Sequence, residues 1–241
     1  MAEWMYVVLS LLFIPLLILT IVVHTRVKSI YKKYKKINSK SGITTRECTR
    51  KMLDAEGLTD VEIKESTGGT LSDYYDPKAK SVHLARDGMD STSIATIAVA
   101  AHEVGHAYQH ADKSYTLMRL RTALHPIVMF ANRMSIPMFI IGLLLLIFSA
   151  VAHIGVIVLW ISVVLYFATT LLSLVTLPIE INASKRALET ISKHGMLAPE
   201  EMPAAKELLT AAAWTYIAGL VTSLYYFFRF LLQIVFITRD K

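Results

Sequence analysis

Apolar positions in this chain fall in long unbroken blocks, and between the blocks lie two stretches of mixed character. Residues 4–23 hold no charged side chain, and about 20 apolar residues match one bilayer crossing. Glu3 precedes the run, no Lys or Arg does, and Ile21-Val22-Val23-His24 ends it without a small-residue cleavage site. It reads as an uncleaved anchor and not as a signal peptide. Apolar blocks return at 134–151 and 154–177, joined through Ala152-His153-Ile154-Gly155, and again at 211–228, where Arg229 precedes a further apolar stretch to Thr238; two readings stay open there, Arg229 snorkelling to an interface or the tail lying along the membrane. The pattern predicts four spans. Residues 41–126 and 178–210 are polar and charged in between. Within the first of these, Leu71–Tyr75 and Lys80–Leu84 flank the turn Asp76-Pro77-Lys78-Ala79, and Ser81-Val82-His83-Leu84 alternates polar and apolar as a half-buried strand does. Helices are expected near 91–111 and near 179–194.

Charge orients these blocks. Residues 24–40 carry Arg26, Lys28, Lys32, Lys33, Lys35, Lys36 and Lys40 with no acidic residue among them. Arg119, Arg121 and Arg133 precede the central pair of spans, Lys185 and Arg186 follow it, and its connector has neither Lys nor Arg. By the positive-inside rule the mixed stretches are cytoplasmic and both termini lie outside. The expected organisation is span 1 over 1–23, a cytoplasmic part over 24–126, a hairpin of spans 2 and 3 over 127–177, a cytoplasmic helical segment over 178–210, and span 4 with the tail over 211–241. Composition agrees: 54% of the 241 residues are hydrophobic and 18% charged, against about 45–50% and about 25% in soluble domains. Disorder, collagen and a disulfide scaffold are excluded on the same grounds. The net charge of +6 sits in loops beside the spans, so the partner it implies is the lipid bilayer and not nucleic acid. Cys48 stands alone and reads as a small packed residue.

One block carries chemistry. Val99–Tyr108 contains His102-Glu103-Val104-Gly105-His106, an HExxH pattern. On a helix, residues i and i+4 share a face, so both imidazoles reach one Zn²⁺. Glu103 then stands where it can take the proton of a water activated by the metal. A third ligand is needed. His110 lies on the same face, but about 12 Å along the axis from His102, too far for bonds of about 2.1 Å from one straight helix. Gln109 stands near the point where a metzincin would turn the chain with glycine. His153 falls on the wrong side of the membrane, and His24 and His125 lie at its boundaries. That leaves His194 or a carboxylate from 178–210. Glu180 is the strongest, in Leu177-Pro178-Ile179-Glu180, with Ser184 one turn later. Pro178 suits a helix start, and Ser184 is placed to hydrogen-bond a ligating His.

Several stretches resemble the YugP-like neutral zinc metallopeptidases, a family of bacterial membrane proteins. They are Ser72-Asp73-Tyr74-Tyr75-Asp76-Pro77, Ala100–His110, Leu177–Glu180, Ala183–Ala187 and Ala211–Tyr216, and the likeness covers most of the chain. The resemblance implies a membrane-bound zinc endopeptidase, distantly related to CAAX-type and heat-shock membrane metalloproteases. Those relatives often have Asp where this chain has Ser184.

The expectation is therefore a mainly α, polytopic membrane protein with a cytoplasmic gluzincin-like protease domain and a small β-hairpin. One Zn²⁺ per chain would be held by His102, His106 and Glu180, with Glu103 as general base and then proton donor to the leaving amine. Residues 81–85 are expected as the edge strand on which a peptide substrate adds. Substrates would be peptides or proteins, other membrane proteins among them, cut at the cytoplasmic face of the bacterial plasma membrane. The oxyanion partner has three candidates, His194, Tyr108 and Tyr216, which spacing does not rank. Two rivals stay open: an intramembrane zinc protease, and a catalytically silent membrane scaffold with a structural zinc.

Overall fold

A computed structural model describes residues 2–239. The chain is mainly helical, with one small sheet. In order, the elements are α1 (Ala2–Lys35), α2 (Thr45–Ala55), β1 (Glu62–Ser66), β2 (Tyr74–Asp76), β3 (Ser81–Ala85), α3 (Ile94–Ala111), α4 (Thr116–Leu145), a 3-10 turn Ser149–Val151, α5 (Ala152–Lys193) and α6 (Met202–Arg239). Four of the described helices are long and apolar enough to cross a membrane: α1, α4, α5 and α6. The chain divides into two compact units, each described by itself: one of residues up to 21, 119–177 and from 216 on, the other of residues 22–118 and 178–215.

The boundaries of the long helices differ from those expected. α4 begins at Thr116 and carries Pro126 and Pro137 inside it. The connector before α5 is Leu146–Phe148 and the 3-10 turn, so His153 already belongs to the first turn of α5. Pro178 does not start a new helix, because α5 runs unbroken through it to Lys193. A proline removes a single hydrogen bond to the preceding turn, and the apolar residues on both sides keep the rest of the ladder. In the same way α6 runs through Arg229 without a break.

In the second unit the organising element is α3. Apart from Thr96 and the polar residues from His102 to His110 its sequence is apolar, and most of its residues are buried by other elements. Ala95, Ala98, Ala100, Ala101, Val104 and Ala107 are buried; their small side chains let neighbours approach closely. Ser93 caps its N-terminus, accepting from the Thr96 N–H at 3.2 Å. α2 starts with a capping box in which Thr44 and Glu47 bond each other's backbone N–H, and it contributes Cys48, Met52 and Leu53 to the same core. Cys48 is fully enclosed there, and burial pushes its thiol up to about 12. Ile30, Tyr31 and Tyr34 from the end of α1 complete this side.

The sheet has the order β1-β3-β2, with β1 parallel and β2 antiparallel to β3. The turn after β2 is held by Asp76, whose Oδ1 accepts from the N–H groups of Lys78 at 2.8 Å and Ala79 at 3.2 Å. This corrects the expectation for residues 81–85. They form the central strand, paired on both sides, and cannot receive a substrate strand. β1 carries Glu62, Lys64 and Glu65 and gave little sequence signal, since charge dilutes its alternation.

Candidate metal centre

α3 supplies His102 and His106, and α5 supplies Glu180. Among the described residues these three form a group whose ligand atoms all lie within 4.8 Å of one another. Glu180 Oε2 stands 3.1 Å from His102 Nε2 and 3.3 Å from His106 Nε2. Tetrahedral ligands at about 2.1 Å from a zinc ion are themselves about 3.4 Å apart, so the donor atoms are already near the spacing zinc requires. Two imidazoles and one carboxylate, with a position left open, are also the donor set of a catalytic zinc site. The group fits the metal. Glu180 is almost wholly buried at 2% exposure, and the two histidines are little more exposed.

Both remaining imidazole nitrogens are held. His102 Nδ1 lies 3.1 Å from Ser184 Oγ, and His106 Nδ1 lies 2.9 Å from Gln109 Oε1. The Gln109 amide can face only one way. Its Nε2 donates to the Ile179 carbonyl at 2.7 Å and to Asn182 Oδ1 at 3.0 Å, which leaves Oε1 to accept from His106. That fixes a proton on His106 Nδ1 and keeps Nε2, the nitrogen facing Glu180, as the one that would bind a metal once its own proton is lost. The same contacts tie the two helices together. Arg186 Nε donates to Asn182 Oδ1 at 3.0 Å, and Arg186 reaches Asp112 Oδ2 at 3.2 Å. The Gln109 contact was missed in the sequence, although i and i+3 from His106 is a helix-neighbour spacing.

Close packing makes this alignment possible. Gly105 faces α5 so tightly that a Cβ there would stand 2.6 Å from the Ala183 carbonyl oxygen. The glycine inside the HExxH block is therefore required by the approach of two backbones.

Glu103 is not a member of the ligand group. Its Oε2 accepts the Tyr75 N–H at 3.0 Å. Tyr75 pairs with Val82 of β3, and its N–H points away from β3, so the outer edge of β2 faces Glu103. Burial pushes the Glu103 carboxyl above its ordinary value; Glu180 and Asp73 add to this, while the histidines oppose it. For His106, burial disfavours the charged ring, but the hydrogen bond and charge of Glu180 outweigh it and hold the ring above its ordinary value.

The other histidines and tyrosines are placed as follows. His110 Nδ1 lies 3.4 Å from the Tyr75 hydroxyl, outside the ligand group. His83 stacks on Tyr74 with centroids 4.3 Å apart. His194 is exposed, just beyond the end of α5. The Tyr108 hydroxyl donates to the Met52 carbonyl, which commits it to the core and removes it from the oxyanion candidates. Tyr216 belongs to the first unit.

A membrane chain with a three-donor zinc-type group beside a non-ligating carboxylate has the features of a membrane metallopeptidase. Residues 9–235 match the family described as "Putative neutral zinc metallopeptidase", and the chain belongs to that family. It is 39% identical over 207 residues to the "Putative membrane protease YugP" of Bacillus subtilis (strain 168), covering 86% of this chain and 88% of that protein. No solved structure matches the chain.

Proposed function

We propose that the chain is a zinc metalloendopeptidase anchored in the bacterial plasma membrane, hydrolysing peptide bonds at its cytoplasmic face. His102, His106 and Glu180 would hold one Zn²⁺ per chain. The observation that carries the reading is Glu103, a carboxylate beside the ligand group but not part of it. A purely structural metal site has no use for it.

Zinc bound there supplies Lewis acidity, polarising a substrate carbonyl and making a nearby water more acidic. Glu103 accepts the proton of that water as its oxygen attacks the carbonyl carbon, then returns a proton to the amine nitrogen as the C–N bond breaks. Burial raises the basicity of Glu103, which suits a group that must both take and give a proton near neutral pH. Gln109 and Ser184 keep the imidazole Nε2 atoms aimed at the metal position. With β3 enclosed, the outer edge of β2 is the place for an extended substrate to add. The Tyr75 N–H that now bonds Glu103 would pass to the substrate, freeing the carboxylate for the water.

The cytoplasmic face follows from the basic residues after span 1 and around the central hairpin. All four residues at the site fall in the unit of residues 22–118 and 178–215, where α3 packs in a hydrophobic core with residues of α2 and β3. The test is to incubate the purified protein with membrane substrates of known topology, with and without zinc chelation, and map the cuts by mass spectrometry. Zinc-dependent cuts in cytoplasmic or juxtamembrane segments are expected. Cuts clustered mid-span, with soluble loops intact, would replace this reading by intramembrane proteolysis. No zinc-dependent cleavage at all would leave the silent scaffold.

A further inference from the structure

Behind His106 the hydrogen bonds do not stop at Gln109. Asn182 Oδ1 accepts twice, from Gln109 Nε2 and from Arg186 Nε, each at 3.0 Å. Arg186 in turn donates to Asp112 Oδ2 at 3.2 Å. Asp112 closes α3 as its C-cap, and its Oδ1 accepts the Ser114 N–H at 3.0 Å and the Ser114 hydroxyl at 2.6 Å. Those bonds, with Arg186, hold its carboxyl below the ordinary value. The Tyr115 ring centroid stands 6.0 Å from the guanidinium carbon, within reach of a cation–π contact. One chain of polar atoms thus leads from a buried imidazole to an ion pair whose members are each 32% exposed. All of these residues belong to the second unit.

Each link in this chain has a direction. An amide has an oxygen that only accepts and an NH₂ that only donates, and it can turn over; a guanidinium has donors alone. Facing Arg186 Nε, Asn182 must therefore present its oxygen. Turned over, Asn182 would set its NH₂ against both the guanidinium and Gln109 Nε2. Gln109 would then have to shift, or turn over and point its own NH₂ at His106 Nδ1. The Ile179 carbonyl, 2.7 Å from Gln109 Nε2, resists that turn but does not hold Asn182. Arg186 does, from one turn further along α5. The contact of His102 is different in kind, because Ser184 Oγ at 3.1 Å is a hydroxyl that either donates or accepts.

We propose that Arg186, held by Asp112, is a positioning residue of the metal centre. It fixes which atom Asn182 presents, and through Asn182 and Gln109 it fixes the direction of the hydrogen bond that aims His106 Nε2 at the metal position. The guanidinium does not touch the ligand group and acts through two amides. This inference rests on the reading of His102, His106 and Glu180 as a zinc site, and it does not depend on the hydrolysis.

The test measures zinc affinity of the full chain in detergent by chelator competition, for Arg186→Met, Arg186→Lys, Asn182→Asp and the pair Arg186→Met with Asn182→Asp. The visible spectrum of the cobalt-loaded protein and thermal unfolding are recorded beside it. Arg186→Met should weaken zinc about tenfold and shift the cobalt bands. Arg186→Lys should keep most of the affinity, since an ammonium also has donors alone. A carboxylate at position 182 has only acceptors and has no wrong way to face Gln109. Asn182→Asp should therefore make zinc affinity insensitive to Arg186→Met, restoring most of what that change loses alone. An equal loss of affinity on Arg186→Met with and without Asn182→Asp would mean that Arg186 merely ties two helices, and would overturn the proposal. A lower unfolding temperature in Arg186→Met with zinc affinity and cobalt spectrum unchanged would overturn it too. Absence of zinc binding by the unsubstituted protein would overturn it together with the metal centre, whereas the other two results leave the metal centre standing.

Discussion

Gly105→Ala is the smallest change that should separate the zinc ligands without touching one. The added Cβ would lie 2.6 Å from the Ala183 carbonyl oxygen and 3.2 Å from its carbonyl carbon and Cα. All three are backbone atoms, so no rotamer change relieves the clash. Carbon contacts are comfortable only near 3.5 Å, and α5 must retreat by roughly 0.5 Å or more. Overpacking of this kind costs about 1–3 kcal/mol, which the fold should survive. The metal site should not. Glu180 is one turn before Ala183 on the same helix and moves with it, whereas ligand distances tolerate about 0.2 Å. Zinc affinity should fall at least about tenfold, the lower end of what a displaced supporting residue costs. Competition titration against a fluorescent chelator measures this, with denaturant unfolding run in parallel. Gly69→Ala is the control, since nothing lies within 4 Å of the Cβ position there. Zinc binding of Gly105→Ala equal to that of the unsubstituted protein would refute the argument that backbone approach sets the site.

Three further outcomes are expected from the packing around α3. Gln109→Leu removes the acceptor for His106 Nδ1 and the amide donor shared by the Ile179 carbonyl and Asn182 Oδ1, and should cost about 1–3 kcal/mol of stability and about 10–100-fold in zinc affinity. Ser184→Ala should be milder, because it strips His102 of one hydroxyl contact; isothermal titration that ranked Ser184 above Gln109 would contradict the assignment. Cys48, enclosed and with its thiol pushed up to about 12, should resist a thiol reagent near neutral pH in the native state and react promptly in denaturant. Fast labelling of the folded protein would show that the α2–α3 core opens readily.

Much of this arrangement was legible in the sequence, for reasons that are local. Apolar blocks mark the four long helices because lipid demands uninterrupted hydrophobicity, and HExxH marks α3 because one helical turn sets its spacing. Glu180 and Ser184 were legible as a pair one turn apart. What escaped was decided by tertiary context. Pro178 has the signature of a helix start, yet α5 passes through it because flanking residues keep the helix intact. The alternation in residues 81–85 identifies a strand but not its place in the sheet, and β3 proved central because β1, too charged to stand out, pairs with its far side. Tyr75 reaches Glu103 through its backbone N–H, a contact that no side-chain pattern announces. Gln109 offered only a spacing, one shared with many helical pairs that do not touch.

The central claim is that one carboxylate works on the substrate while another holds the metal, and a paired measurement on Glu103→Gln and Glu180→Ala tests it most directly. Each variant is assayed for bound zinc by metal analysis and for hydrolysis of a quenched peptide, beside the unsubstituted protein. Glu103→Gln should keep zinc near one per chain and lose hydrolysis by at least about a hundredfold, since an amide cannot accept the proton. Glu180→Ala should lose both together, because two imidazoles alone hold zinc poorly. Near-normal hydrolysis by Glu103→Gln, or full zinc content in Glu180→Ala, would contradict the account.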